Sequence, residues 1–218
     1  MLREQGLKDI DFSSVLDGYT LAQLALMAAV ISFLGFLLEN AWLLITKGYV
    51  DNRNMTFPFL LGYGLLVVAM ELLAGRPQTI AVNGQVLYNQ SHFMGYLAYF
   101  TMAFFAVSIG EILLGTFVEK VFGFEYWNYT RLPLHITKYT SIPTSIGFAL
   151  IITLFMGYCF VPIMNIISQI PDSTAEKVGF TLMTLMTADF IISFGRMYRL
   201  RTFNIRWKKQ IRTTESAD

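Results

Sequence analysis

Charge is scarce in this chain: Asp, Glu, Lys and Arg make up 14% of its 218 residues, against about 25% in ordinary soluble domains. Too few charges remain to cover a soluble surface of this size. The net charge of +1 gives no global field for a polyanion, so no nucleic-acid partner is expected. A single cysteine, Cys159, excludes an internal disulfide. It lies in an apolar run and reads as a small core residue. The two histidines, His92 and His135, fall in separate expected loops, and no Cys/His cluster has metal-ligand spacing. No metal and no cofactor is expected.

Apolar residues are what the chain has in excess, at 55%, with a mean hydropathy of +0.52. They cluster into five runs, at about 19–46, 57–74, 93–118, 142–168 and 178–199. A hydrocarbon core of about 30 Å needs roughly 20 apolar residues as a helix, and helices satisfy their own backbone in lipid. The runs lack the alternation of a membrane barrel. The expected fold is therefore all-α: a polytopic membrane helical bundle of about five transmembrane helices. The second run is the shortest and carries Glu71 near one end. A full crossing is expected there, with a re-entrant hairpin as the alternative. Residues 1–18 read as a surface segment rather than a signal peptide, and 201–218 as a basic tail behind a transmembrane domain spanning 19–200.

Five crossings put the two tails on opposite sides. The N-terminal side holds Arg3, Lys8, Arg76 and Lys177, and the other twelve basic residues lie on the C-terminal side. The positive-inside rule then places the N-terminus outside the cell membrane and the C-terminus in the cytoplasm. The tail (Arg196, Arg199, Arg201, Arg206, Lys208, Lys209 and Arg212, with Phe203 and Trp207) reads as a topology determinant and interface anchor, with membrane lipids as partners.

Two stretches recur. Leu34-Gly35-Phe36-Leu37-Leu38-Glu39 and Leu114-Gly115-Thr116-Phe117-Val118-Glu119 both read Leu-Gly-x-x-x-Glu, and Pro58 to Gly62 and Pro143 to Gly147 both read Pro-x-x-x-Gly. The offsets of 80 and 85 residues stay nearly in step. The chain thus reads as a parallel internal repeat of helix–loop–helix halves plus one extra helix, an organisation common in transporters.

Carboxylates inside these runs are costly, at about 2.5–3.5 kcal/mol on insertion scales. Glu39, Glu71, Glu111, Glu119 and Asp189 must therefore face other helices, a cavity or the headgroups. Glu111, Gly115, Glu119, Gly123 and Trp127 recur every four residues, as on one helix face, and glycines there admit a close neighbour. Glu39 and Glu119 fall at equivalent depth, where two carboxylates brought together would share a proton or bind a cation. Lys120, Arg131 and Arg53 are the basic candidates for pairing with them. The ligand- or ion-binding candidates are Glu39, Asn40, Asn52, Arg53, Glu111, Glu119, Trp127, Asn128, Tyr129 and Arg131, with Asp189 and Arg196 as secondary polar positions and no catalytic residue among them. Asp189 is expected to meet a partner on another span.

The run from Glu111 through Trp127-Asn128-Tyr129, followed by Leu132-Pro133 and Ile142-Pro143, resembles the CmpB-like family, labelled putative ABC-transporter type IV. Gly35 and Glu39, then Asn52-Arg53, Pro58 and Gly62-Tyr63-Gly64, resemble that family's first-half pattern. The likeness covers about residues 28–168 and leaves the fifth span outside. Three positions depart from the pattern. Trp127-Asn128-Tyr129-Thr130 stands where the family has Trp-Asp-Tyr-Ser, Asn54 stands where Gly follows Asn-Arg, and Thr137-Lys138-Tyr139 stands near a family Gly-Arg. The resemblance implies a transport or permease component. No G-x-x-x-x-G-K-[ST] motif occurs, so an ATPase would be a separate partner chain. A membrane-embedded enzyme acting on a lipid-like substrate, and a membrane scaffold or assembly protein, are the alternatives.

Overall fold

A computed structural model describes residues 18–211; the expected surface segment, apart from Gly18, and Arg212 lie outside them. Four helices are long and apolar enough to cross a membrane: α1 (Leu21–Lys47), α4 (His92–Phe122), the continuous stretch Ile142–Ile167, and α7 (Asp172–Leu200). Between them lie α2 (Leu61–Ala74) and the short α3 (Leu87–Gln90). The chain is an all-α membrane bundle.

Local chemistry sets the helix ends. Thr20 opens α1 with a capping box: its Oγ1 accepts from Gln23 N at 3.2 Å, and Gln23 Oε1 accepts from Thr20 N at 3.0 Å. Gly48 and Gly123 close α1 and α4 in the left-handed conformation, at φ 72° and 78°. The stretch Ile142–Ile167 is α5 (Ile142–Leu154), a π-helical turn (Phe155–Cys159) and α6 (Phe160–Ile167). Pro162 in the first turn of α6 cannot donate to the preceding turn. The wider π turn fits that defect, and Gln78 Nε2 donates to the Gly157 carbonyl at 2.7 Å. Cys159, expected in the core, is exposed on this turn.

Helix α1 is the hub. Two-thirds of its apolar window is buried, against about a quarter in the other three. It packs on α2, α6 and α7. The main core joins Met27, Val67, Tyr99, Met156, Phe160 and Met164, and the outward faces of α4 and α7 remain apolar and exposed, as lipid requires.

The second run departs most from expectation. Its helix starts at Leu61, not Phe57, and its 14 residues span only about 21 Å. The remaining depth is covered by non-helical chain. Leu60 N donates to the carbonyl of Ser32, fifteen residues and about 22 Å before the end of α1. After α1 the chain therefore turns back into the bundle, and α2 begins near mid-depth. The second half repeats this plan. Thr140 donates to Glu111, eleven residues before the end of α4, and α5 starts two residues later. Each half is thus a long helix, an inward-folding segment and a second helix that starts below the rim.

The inward segments gather at one end with the C-terminal chain. β1 (Tyr49–Asp51) pairs antiparallel with Lys208–Gln210. Asn52 Nδ2 donates to Asn204 O, Asn204 Nδ2 to Asn54 O, and Arg206 N to Asn52 Oδ1. The basic tail is therefore strapped across the first loop. At the opposite end, Ala81–Val82 pairs with Gln85–Val86 through a tight turn at Asn83-Gly84, both with positive φ.

Candidate functional site

Non-helical backbone inside a membrane must find its hydrogen bonds in protein. Asp189 meets this need. Its carboxylate accepts from Thr56 N at 2.9 Å and Phe57 N at 2.8 Å, and Ser193 Oγ donates to it at 3.0 Å. Asp189 does meet a partner outside its own helix, but the partner is the backbone of the inward segment rather than a side chain on another span. Arg196, on the same helix, is exposed. With Arg199 it edges a groove whose lining comes from α7 alone.

The segment that Asp189 holds forms one wall of a cavity of about 460 Å³. Arg53, Met55 and Leu60 to Tyr63 line that wall. The second half supplies Glu111 and Gly110 from α4, Phe148 from α5, and Tyr126, Trp127 and Tyr129 from the loop 123–141. Phe190 and Phe194 of α7 complete it. The space lies where the two halves face each other.

Glu39 is locked at its rim. Its Oε2 pairs with Arg53 Nη2 at 3.1 Å, and its Oε1 accepts from the Tyr63 hydroxyl. Arg53 Nη1 also lies 3.7 Å from buried Asp51. Arg53 and Asn54 sit at φ 46° and 66°, two successive left-handed residues that turn the chain inward. Such positions cost of order 1–3 kcal/mol and persist where their surroundings hold them. Here Asn40 Oδ1 receives Asp51 N at 2.8 Å, and Asp51 Oδ1 receives Arg53 N at 2.7 Å.

Glu111 differs in kind. Its carboxylate accepts from Thr140 Oγ1 at 2.7 Å and, at a longer 3.3 Å, from Tyr129 OH, and among the described residues it has no cationic partner. Burial, then the charges of Glu111 and Glu39, push the Tyr129 hydroxyl well above its ordinary pKa, so Tyr129 keeps its proton and donates.

Glu119 lies outside the cavity and is not brought to Glu39. It takes Lys138 Nζ and the Tyr139 hydroxyl. Lys138 also reaches Glu125 at 2.9 Å. These carboxylates hold Lys138 above the ordinary lysine pKa. The Asn128 amide first, then Lys138, hold Glu125 below the carboxylate range. Of the three basic candidates only Arg53 pairs with one of these glutamates; Arg131 and Lys120 are exposed. The four-residue rhythm through Trp127 is also not one helix face. The helix stops at Phe122, and Trp127 Nε1 donates to Tyr139 O at 2.8 Å from the loop.

The glycines have a definite role. A Cβ on Gly35 would lie 2.6 Å from Tyr63 Cγ, and one on Gly115 would overlap the Tyr139 ring. In both halves a tyrosine ring lies on the glycine and its hydroxyl reaches the glutamate four residues on. Five of the ten primary candidates therefore line the cavity: Glu39, Arg53, Glu111, Trp127 and Tyr129. Asn40, Asn52 and Asn128 brace turns, Asn128 Oδ1 receiving Thr130 N at 2.8 Å. Sequence reasoning missed Lys138 as an ion-pair partner, although it precedes Pro143 by the same five residues by which Arg53 precedes Pro58.

Residues 26–194 match the family described as putative ABC-transporter type IV. The chain belongs to this family. The match reaches well into α7, so the fifth span, expected outside the likeness, is within the family. Asp189 and the aromatic pair Phe190 and Phe194 fall inside it. No curated protein and no solved structure matches the chain.

Proposed function

We propose that this multi-pass membrane protein is a transport component that takes a small amphipathic ligand into the cavity between its two halves. The observation that carries the reading is the start of α2 near mid-depth, beside a half-open, mostly apolar space. Transporters place solute sites at such repeat interfaces, beside helices broken within the membrane. The family description points the same way.

In this reading the rim of inward segments faces the cytoplasm, because the chain's basic residues concentrate there. Energy would come from a separate ATPase subunit docking on that rim. Glu39, Arg53 and Tyr63 hold the cavity wall, and Glu111 addresses the ligand.

Gly62 lines the cavity, and a Cβ there meets nothing within 4 Å, so Gly62→Cys offers a thiol inside the site. The test uses Gly62→Cys in a Cys159→Ser background, reconstituted in liposomes with whatever subunits co-purify. Protein-dependent flux of a solute from a broad amphiphile panel, abolished by a bulky maleimide on the introduced thiol, is the expected result. Equal flux with and without protein across the panel overturns the reading.

A further inference from the structure

Charge around the cavity is unbalanced. Glu39 and Glu111 line it as two formal negatives against one positive, Arg53, which buried Asp51 also engages from behind. The N-terminus of α2 adds only about half a positive charge. Arg53 is committed to Glu39 and Asp51, and its remaining Nε is buried from the space. Of the two carboxylates that line the cavity, Glu39 is paired with Arg53 and Glu111 has no counter-ion among the described residues.

The wall around it is aromatic: Tyr63, Trp127, Tyr129, Phe148, Phe190 and Phe194. Ring faces attract cations, most strongly where water is excluded. Apolar rings, one unpaired carboxylate and a volume of about 460 Å³ match one chemical class. We infer that the ligand is a lipophilic organic cation, with Glu111 as its counter-ion and the rings as its cage. The inference rests on the cavity being the ligand site, as proposed above.

Tetraphenylphosphonium and tetraphenylborate have nearly the same shape and opposite charge, so they separate charge from hydrophobicity. Binding of radiolabelled tetraphenylphosphonium to the detergent-purified protein is measured above an empty-micelle baseline. Saturable binding that weakens at least tenfold in Glu111→Gln, and that tetraphenylborate does not displace, is expected. Glu111→Gln keeps an acceptor for Thr140, and its melting temperature reports whether it folds. Phe190→Leu removes one ring face without touching the carboxylate and weakens binding several-fold. Glu125→Gln, outside the cavity, leaves binding unchanged.

Tetraphenylphosphonium binding that is indifferent to Glu111→Gln and Phe190→Leu overturns the inference. If tetraphenylborate binds instead and the maleimide adduct at Gly62→Cys blocks it, the cation inference falls while the ligand cavity stands. If neither ion binds and the adduct changes no flux, both fall.

Discussion

Removing the Asp189 carboxylate tests the architecture directly. Two backbone N–H groups, Thr56 and Phe57, donate to it with the Ser193 hydroxyl, and Asp189 itself is buried. Asp189→Ala strips the side-chain acceptor from both N–H groups. Each unsatisfied group costs about 1–3 kcal/mol, so the loss is roughly 2–6 kcal/mol. Asp189→Asn keeps one carbonyl acceptor but turns an NH2 toward the other donor. It also relieves the burial of a charge, which works in the opposite direction. The asparagine variant therefore loses about half as much. At roughly 2–4 °C per kcal/mol for a chain of this size, Asp189→Ala lowers the apparent melting temperature in detergent by about 5–20 °C. The segment it releases lines the cavity through buried Met55, so a thiol introduced by Met55→Cys, in a Cys159→Ser background, reacts faster in that variant. An alanine variant that melts within a degree of wild type, or an asparagine variant that falls as far as alanine, refutes the assignment.

Glycine-to-alanine exchanges should split by sign. A Cβ on Gly64 overlaps the Ala28 carbonyl and the Ser32 side chain, and backbone cannot yield cheaply, so Gly64→Ala destabilises by about 1–3 kcal/mol. Gly147 has open space around it, and Gly147→Ala gains up to about 1 kcal/mol of helix propensity; paired melting curves check both. The Lys138 bridge sets a pH window. Glu125 is lowered, so its contribution is full above the ordinary carboxylate range and is lost as pH falls through the lowered value. Lys138 is raised, so its contribution is full below the ordinary lysine range and is lost as pH rises through the raised value. The melting temperature lost in Lys138→Met is therefore flat across neutral pH and shrinks at both extremes, as a pH series would show.

Much of the bundle was legible because lipid imposes a length and a composition on each span. The boundaries of α1 and of Ile142–Ile167 fall within two residues of the apolar runs, and Gly48 and Gly123 mark the ends of α1 and α4 by conformation. The second run misled because Phe57, Pro58 and Phe59 are as apolar as a helix, although they form bent, non-helical chain. Hydropathy measures where a residue lies, not how its backbone is bonded. The bonding signal was Asp189, 132 residues away, whose use could not be read until α7 and the first loop met. The same separation hid the site. Glu39 and Glu119 match by repeat position, yet Glu119 is closed off by Lys138 and Tyr139. Glu111, one helical turn deeper than Gly115, reaches the shared space instead.

The carboxylates within the spans thus divide by what they meet: Asp189 serves backbone donors, Glu39, Glu71 and Glu119 each face a cation, and Glu111 has no cationic partner among the described residues. That division needs the inward turn to be held, which makes the departure at Asn54 informative. The family pattern puts Gly after Asn-Arg, and Asn54 sits at φ 66°, where glycine is free of strain and asparagine is the best-tolerated alternative. The turn is therefore preserved rather than altered. Asparagine also adds a bond glycine cannot make, Nδ2 to the Tyr126 hydroxyl at 3.0 Å, tying the first inward segment to the loop of the second half. Asn54→Gly keeps the backbone and loses that tie, about 0.5–1.5 kcal/mol. Asn54→Ala loses the tie and also pays left-handed strain of roughly 1–2 kcal/mol. Alanine should accordingly melt below glycine, reversing the order that helix or loop propensity alone would give. If the strained turn is what holds Arg53 against Glu39, only the alanine variant also weakens ligand binding in the cavity. Equal melting of the two variants would mean that the backbone at residue 54 relaxes freely, and that the wall of the cavity is not held from this turn.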